Sequence, residues 1–219
     1  MKTLKALGIL LHYPSTELQA GIPDIRRVLA AEGLVTPEGL VTPEALESLL
    51  TRLEASPLLD LQADYVDLFD RTPKLSLYLF EHVHGDSRAR GQAMVDLNAL
   101  YQRHGLSIDG RELPDYLPLF LEFLSTRPLT EARQLLGETV HILSALGQRL
   151  TERGSPYAAV FQTLTELADH PATPEAIARL RELPDAAPEA LDQTWEETPV
   201  TFGPGCATPP EQPIHFRRK

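Results

Sequence analysis

Apolar residues along most of this chain recur three or four positions apart, which is the spacing of an amphipathic helix. In residues 3–12, for example, Leu4, Leu7 and Leu11 share one face. The same spacing recurs at 15–31 (or, as a shorter helix, 23–31), 43–53, 56–70, 87–104, 115–124, 130–153, 156–167 and 173–183. Pro and Gly separate these segments, and nothing signals a hairpin or a strand–helix–strand unit. The pattern predicts an all-α fold with a single compact multi-helix domain.

The predicted helices carry recognisable start and stop signals. A hydroxyl residue followed by proline opens four of them, at Thr42-Pro43, Ser56-Pro57, Ser155-Pro156 and Thr173-Pro174. The hydroxyl can cap the first turn, and proline suits the first helical position. Gly105 is expected just beyond the end of the 87–104 helix, where the backbone turns left-handed.

Two segments fall outside the helical pattern. The sequence Gly-Leu-Val-Thr-Pro-Glu occurs at 33–38 and again at 39–44, which we interpret as a small insertion in a surface loop, since a longer loop costs little closure entropy. Residues 184–219 are rich in proline and have little periodicity. We therefore expect an all-helical domain at 1–183 and a flexible tail at 184–219, the latter containing Trp195 and Cys206.

The net charge limits the kinds of partner that the chain is expected to bind. The formal charge of −11 argues against a nucleic-acid surface and against adsorption to anionic lipid, and it suits a positively charged partner segment. No apolar run approaches the roughly 18 residues of a membrane span, so no direct membrane insertion is expected. The apolar run at 6–11 is too short for a signal peptide, which favours a cytoplasmic protein. A single cysteine excludes an intrachain disulfide.

Polar residues are densest at 77–97, and a second unusual stretch follows at 112–124. Glu81, His82 and His84 suggest a metal site, but two histidines two positions apart point away from each other on a helix, and the remaining histidines lack ligand spacing. Acid–base catalysis by Glu81, His82 and Asp115 is conceivable, yet no nucleophile or phosphate-binding glycine loop accompanies them. We therefore predict no metal, no cofactor and no enzymatic activity.

Two interpretations of these stretches remain open. Arg88, Arg90, Asp86 and Glu81 lie within reach of Asp115 and Glu122 if the two helices pack together, and ion pairs between the helices would then simply fix their orientation. Alternatively, Met94 beside Tyr78 and Phe80 describes a groove that accepts a peptide helix. The acidic stripe Asp60, Asp64, Asp67 and Asp70 has the same ambiguity, because it suits either a basic peptide or a solvated face.

Four motifs carry a family resemblance. They are Tyr65-x-x-Leu-Phe-Asp-Arg71, Leu79-Phe-Glu-His-Val-His-Gly-Asp-Ser-Arg88, Arg90-Gly-Gln-Ala-Met-Val-Asp-Leu97 and Arg111-Glu-Leu-Pro-Asp-Tyr-Leu-Pro-Leu119. Together they resemble the NarJ family, the molybdenum cofactor assembly chaperones of respiratory nitrate reductase, within the wider TorD/DmsD-like group of redox enzyme maturation proteins. That group often has Pro-Asp-His where this chain has Pro114-Asp115-Tyr116, so no role of that histidine is carried over.

The resemblance implies a cytoplasmic, all-α, system-specific chaperone that is a monomer or weak dimer and not part of the mature enzyme. Its partner would be the molybdenum-containing catalytic subunit of nitrate reductase, bound through its N-terminal segment while molybdenum cofactor and iron–sulfur centres are inserted. The predicted partner-binding residues lie in the motifs and the acidic stripe: Asp60, Asp64, Tyr65, Asp67, Phe69, Arg71, Phe80, Glu81, His82, His84, Arg88, Gln92, Met94, Asp115, Tyr116 and Glu122. Alternatives are a transient cofactor carrier built on Glu81, His82 and His84, and a stable structural subunit.

Overall fold

The structure is a computed structural model that describes residues 1–32, 35–36, 39–40, 43–84, 88–108 and 112–181, with side chains at all of these except 35–36, 39–40, 43–45 and 84. The predicted tail at 184–219, with Trp195 and Cys206, lies outside the described residues. The division at residue 183 therefore stays a prediction.

Ten α-helices make up the described part of the chain, which confirms the predicted all-α fold class. They are α1 Lys2–Leu10, α2 Thr16–Glu32, α3 Pro43–Ala55, α4 Leu58–Tyr65, α5 Glu81–His84, α6 Arg88–Arg103, α7 Leu117–Ser125, α8 Leu129–Glu152, α9 Ala158–Leu167 and α10 Pro174–Arg181. A π-helical turn at Val66–Asp70 follows α4 directly, and a 3-10 turn occupies Pro73–Leu75. No helix in the described ranges is long and apolar enough to cross a bilayer.

The core forms around α1, α7, α8 and α9. Helix α7 is apolar on nearly every side and buries six of its nine residues, as predicted for a helix at the centre of a bundle. It packs against α1, where Gly8 allows the close approach: a Cβ at this position would lie 3.1 Å from the Pro118 carbonyl oxygen. Helix α8 packs along α9 and buries Leu136, Val140 and Leu143 completely.

The helix starts largely follow the sequence signals. Helix α2 begins after Ser15, whose Oγ accepts the Leu18 N–H at 3.1 Å, so the longer of the two predicted helices is correct and Pro23 lies inside it. Helices α3 and α10 begin at the prolines of their Thr-Pro pairs. Gly105 has φ +73°, which confirms the left-handed residue predicted after α6.

Three differences from the sequence expectations affect the surface. The 56–70 segment is not one α-helix, because the π-helical turn after α4 closes with an Arg71 N–H to Val66 carbonyl bond of 3.1 Å. Helix α7 begins at Leu117 and not near Asp115, because the backbone of residues 115–117 is hydrogen-bonded to residues 77–79, as described below. Helix α6 buries only Tyr101 and leaves Ala89 exposed, since its packing is mainly against the short helix α5.

The duplicated segment also differs from the simple loop that we predicted. Strand β1 at Val35–Thr36 pairs antiparallel with strand β2 at Gly39–Leu40, with Val35 opposite Leu40. Each copy of the duplication contributes one strand, so the paired backbone groups satisfy each other. Thr42, the predicted cap of α3, lies outside the described residues.

Candidate partner-binding surface

The two polar stretches meet through their backbones. The Leu117 N–H donates to the Leu77 carbonyl at 2.8 Å, and the Leu79 N–H donates to the Asp115 carbonyl at 3.0 Å. Tyr78 therefore lies opposite Tyr116 in an isolated antiparallel bridge. The contact expected between these stretches is present, although extended backbone makes it instead of two packed helices. We call residues 77–79 and 115–117 the backbone bridge.

Asp115 is the acidic residue of this bridge, and its side chain has no exposed surface. Its Oδ2 accepts the Phe80 N–H at 3.0 Å, whereas its Oδ1 has no hydrogen-bond partner among the described residues. Desolvation raises the pKa of Asp115, opposed by the Phe80 hydrogen bond and by the nearby Arg90 charge. The carboxyl group therefore fixes the start of α5 to the bridge.

An ion pair forms within the first polar stretch and does not join it to the second. Arg90 on α6 donates to the Glu81 carboxylate on α5 at 3.0 Å, and both side chains are half-buried. Glu122 pairs instead with Lys5 of α1 at 2.9 Å, on the exposed side of α7. Asp86 lies outside the described residues. Arg90 therefore links α6 to α5 and acts on Asp115 through its charge.

His82 is a buried side chain and not a surface ligand. It is 4% exposed, and its Nε2–H donates to the Ser76 carbonyl at 2.8 Å. Burial lowers the pKa of His82, the Ser76 carbonyl opposes this shift, and the Arg149 charge adds to it. A neutral imidazole that is already bonded to the backbone holds the segment before α5 in place. Among the described side chains, no group of three His, Cys, Asp or Glu residues could hold a metal ion.

Aromatic rings surround the bridge and form what we call the aromatic seam: His12, Tyr13, Tyr65, Phe69, Tyr78, Tyr116 and Tyr157. The rings of Tyr78 and Tyr116 lie 5.3 Å apart, and His12 packs edge-on against Tyr116 at 6.1 Å. On the other side, Tyr65 lies 4.9 Å from Phe69 and 5.5 Å from Tyr13.

Burial differs along this seam. Tyr65, Phe69 and Tyr157 are buried, and the Tyr65 hydroxyl donates to the Leu11 carbonyl at 2.8 Å. Tyr78 and Tyr116 are half-buried, while Tyr13 is 49% exposed. The seam therefore has a buried base and an accessible edge, which is formed by Tyr13, Tyr78 and Tyr116.

Carboxylates line the accessible edge of the seam. Glu112 accepts the Tyr78 hydroxyl at 2.7 Å. Desolvation raises the pKa of Tyr116, and the charges of Glu112 and Asp70 raise it further. Partial desolvation lowers the pKa of His12, against the carboxylates of Glu122 and Glu112. Asp70, Glu112 and Glu122, all exposed, are therefore close enough to act on the seam, and we call them the acidic rim.

The π-helical turn explains why the predicted acidic stripe divides. Asp64 at the end of α4 pairs with Arg52 of α3, and Asp67 pairs with Arg71 at 3.4 Å. Asp60 is exposed on α4, whereas Asp70 lies close enough to raise the pKa of Tyr65 and Asp64 lies close enough to raise the pKa of Tyr157. A π-turn rotates the residues after it away from the α-helical register, and such turns recur at functional sites.

The remaining predicted residues lie on or near α6. Arg88 and Gln92 are exposed, with the Gln92 amide donating to Asp96 at 2.9 Å, and Met94 is half-buried. The side chain of His84 lies outside the described ones, while half-buried Phe80 packs against the core beside the bridge. The role of these residues in partner binding stays a prediction.

Sequence reasoning missed several members of the seam and rim. His12 and Tyr13 come from the end of α1, about fifty residues before the motifs, and Tyr157 comes from the start of α9. The adjacent aromatic pair before Pro14 was the available signal, since an exposed tyrosine at a helix end is unusual for a core segment. Glu112 opens the second polar stretch but has no periodic partner that marks it.

The helical fold has a relative among solved structures. It is similar to a crystal structure described as that of a redox enzyme maturation protein from Archaeoglobus fulgidus. The TM-score is 0.51 at 22% identity, over 75% of this chain and 91% of that one, which establishes similarity of fold.

Sequence comparison identifies the family. The profile of the nitrate reductase delta subunit family matches residues 24–163, and the chain belongs to that family. The nitrate reductase molybdenum cofactor assembly chaperone NarJ of Escherichia coli (strain K12) is 44% identical over 204 residues, which cover 92% of this chain and 85% of NarJ. NarW of the same organism is 41% identical over 204 residues, covering 92% of this chain and 84% of NarW. The resemblance inferred from the four motifs is thereby confirmed.

Proposed function

We propose that this chain is a cytoplasmic, system-specific chaperone that binds the N-terminal segment of the apo catalytic subunit of respiratory nitrate reductase. While bound, it keeps the subunit competent for insertion of molybdenum cofactor and iron–sulfur centres and for assembly into the complex. It acts without catalysis or a cofactor of its own, as a monomer or weak dimer, and is absent from the finished enzyme. The names of its relatives support this assignment at the level of nitrate reductase assembly.

The observation that carries the proposal is the aromatic seam with its acidic rim. Half-buried Tyr78 and Tyr116 offer flat apolar surface, and buried rings beneath them keep that surface rigid. A peptide of about 15 residues is a marginal helix in water, so apolar contact with such a surface supplies most of its ordering energy. An amphipathic peptide with a basic face and an apolar face fits both features.

The rim carboxylates contribute chiefly to encounter and register. Charges at an exposed edge accelerate association and select orientation, and each exposed pair contributes about 0.2–1 kcal/mol. Asp70 and Glu112 lie near Tyr116, whereas Asp64 and Asp67 are already paired with arginines and Glu122 is paired with Lys5. The proposal therefore assigns the main ionic contacts to Asp70 and Glu112, with smaller contributions from Glu122, Asp64 and Asp67.

Calorimetry with a synthetic N-terminal peptide of the catalytic subunit tests this directly. The double variant Asp70→Asn/Glu112→Gln is expected to weaken binding about 3- to 10-fold at low salt, from two exposed pairs. The matched control, Glu138→Gln/Glu175→Gln, removes two exposed carboxylates on α8 and α10 and should bind like the parent. High salt should reduce the difference between the two doubles.

Absence of binding heat at every salt concentration, or an equal loss in the control double, would refute the proposed surface. Affinity capture from cells separates the chaperone from a stable subunit. A chaperone is recovered with the immature catalytic subunit and is missing from purified membrane-bound reductase, whereas a subunit is recovered with both.

A further inference from the structure

An apolar pocket lies between α7 and the segment that follows α6. It has a volume of about 370 Å³ and is lined by Tyr101, Leu106, Ser107, Ile108, Leu119, Glu122, Phe123 and Thr126. Tyr101 and Phe123 are the buried members of this lining, and their ring centroids lie 4.8 Å apart. Ile108 and Leu119 are half-buried against the core, while Leu106 is 37% exposed. The pocket therefore presents apolar surface to solvent.

The segment after α6 is held in a fixed conformation. Its Leu106 N–H donates to the Tyr101 carbonyl at 3.0 Å, and the Gly105 N–H donates to the Gln102 carbonyl at 2.9 Å. Because Gly105 is left-handed, these two bonds form a Schellman motif, in which the chain turns back onto the end of the helix. Leu106 therefore belongs to a preformed pocket and is not a side chain on a free loop.

Phe123, on the α7 side of the pocket, is also fixed by its neighbours. The His104 ring lies 5.6 Å from the Phe123 ring, and the Arg127 guanidinium lies 5.4 Å from the same ring centroid. A site whose walls are already ordered loses little conformational entropy when it is filled. The pocket is therefore suited to binding without rearrangement.

The size and polarity of the pocket favour an apolar side chain over a cofactor. A volume of about 370 Å³ lies at the lower end of the range of roughly 300–1,000 Å³ for small-molecule sites. Glu122, the charged residue of the described lining, is exposed and paired with Lys5, and the Thr126 hydroxyl donates to the Phe123 carbonyl at 2.7 Å. The lining thus lacks the convergent polar groups that orient a small polar ligand.

Helix α7 connects the pocket to the aromatic seam. Tyr116 of the seam directly precedes α7, and Leu119 and Phe123 of the pocket follow three and seven positions later. At 1.5 Å per residue, seven residues correspond to about 10 Å along a helix. Glu122 lines the pocket and also lies close enough to act on His12 of the seam. The pocket therefore continues the proposed peptide-binding surface.

We propose that the pocket binds one bulky apolar side chain of the catalytic subunit's N-terminal segment, which lies as a helix along α7. This inference rests on the proposed function and adds the register of the segment. A helix that contacts the seam with one residue reaches the pocket with the residue seven positions away, because both spacings are about 10 Å. A Lys or Arg between these two residues meets Glu122, which selects orientation more than it adds affinity.

Calorimetry with substitutions in the pocket tests this register. Leu106→Gln is expected to weaken binding of the synthetic N-terminal peptide about fivefold or more, because it makes the wall polar. Ser107→Trp fills the pocket from an exposed position and is expected to weaken binding about tenfold or more. The matched control Leu129→Gln alters a 50% exposed leucine outside the lining and should bind within about twofold of the parent.

A double-mutant cycle identifies the contact without relying on the fold of one variant. Each bulky apolar residue of the peptide is changed to Ala in turn and tested against the parent and Leu106→Gln. The peptide that lacks the proposed side chain should bind the parent about tenfold more weakly and lose less than about twofold further in Leu106→Gln. Amide signals of Ile108 and Thr126 should shift when the parent binds the intact peptide.

The outcomes separate this inference from the proposed function. Pocket variants that bind like the parent, while Asp70→Asn/Glu112→Gln binds more weakly, overturn the inference and leave the proposed function standing. A parent that binds no peptide at any salt concentration overturns both. An equal loss in Leu129→Gln, or no coupling to any peptide residue, also overturns the inference. So does a change in the sedimentation coefficient of Leu106→Gln with unchanged peptide affinity, because the pocket would then be an interface between two copies of the chain.

Discussion

Substitutions at Asp115 separate its hydrogen bond from its charge. Asp115→Asn keeps an oxygen that accepts the Phe80 N–H, now 3.0 Å from Oδ2, whereas Asp115→Ala leaves that donor without an acceptor. A buried polar group left unsatisfied costs about 1–3 kcal/mol, and the half-buried position of Phe80 favours the lower part of that range. With a urea slope of roughly 2–3 kcal/mol/M, the midpoint of Asp115→Ala should lie about 0.3–1 M below that of Asp115→Asn.

Comparison of the parent with Asp115→Asn across pH tests the charge. Burial raises the pKa of Asp115 above the ordinary value of 3.8, so the folded state holds this proton more tightly than the unfolded chain does. Between 3.8 and the raised value, the parent loses stability as pH rises, because ionisation is easier once the chain unfolds. Asparagine does not titrate, so its stability relative to the parent should increase through this window and then level off.

Urea denaturation followed by circular dichroism from pH 4 to pH 8 measures both differences. Coincident midpoints for Asp115→Ala and Asp115→Asn would refute the contribution of the Phe80 hydrogen bond. A decline of the asparagine variant relative to the parent as pH rises would refute the raised pKa, since it would mean that the carboxylate is stabilised in the fold.

Three further substitutions test the packing behind the surface. Gly8→Ala should destabilise the protein by about 1–2 kcal/mol despite its better helix propensity, because its Cβ would meet the α7 backbone at 3.1 Å; Gly91→Ala, with nothing within 4 Å, should gain up to about 1 kcal/mol in the same thermal unfolding assay. Equal melting temperatures for the two would contradict this reasoning. Tyr101→Phe loses a hydroxyl that donates to the Pro114 carbonyl at 2.8 Å and should cost about 0.5–1.5 kcal/mol in urea denaturation, and an unchanged midpoint would show that the bond adds nothing.

The helical core was predictable because leucine spacing reports burial directly. Leu4, Leu7 and Leu11 lie on the buried face of the first helix, as their positions predict. Helix α6 was harder, since periodicity shows which face is apolar but not whether another element covers it. Ala89 follows the apolar spacing of this segment and is nevertheless exposed.

The candidate surface was predictable only where it is local in sequence. Polar density correctly indicated that the two stretches meet, whereas the backbone bridge between Tyr78 and Tyr116 has no side-chain pattern that predicts it. Tyr13 joins the surface through tertiary packing alone. His82 shows the converse, since a histidine beside other polar residues suggested chemistry and is instead buried against a carbonyl.

The backbone bridge also divides the protein by local stability. By joining residues 77–79 to 115–117, it holds together the two ends of the segment that contains α6. Helix α6 buries one residue, Tyr101, whereas α8 buries eleven residues, so we expect α6 to open at a lower free energy than α8. A partner bound at the backbone bridge would slow the opening of α6 without changing the core. Partner binding at this surface would then slow the hydrogen exchange of the α6 amides, while the exchange rates of the α8 amides stay unchanged.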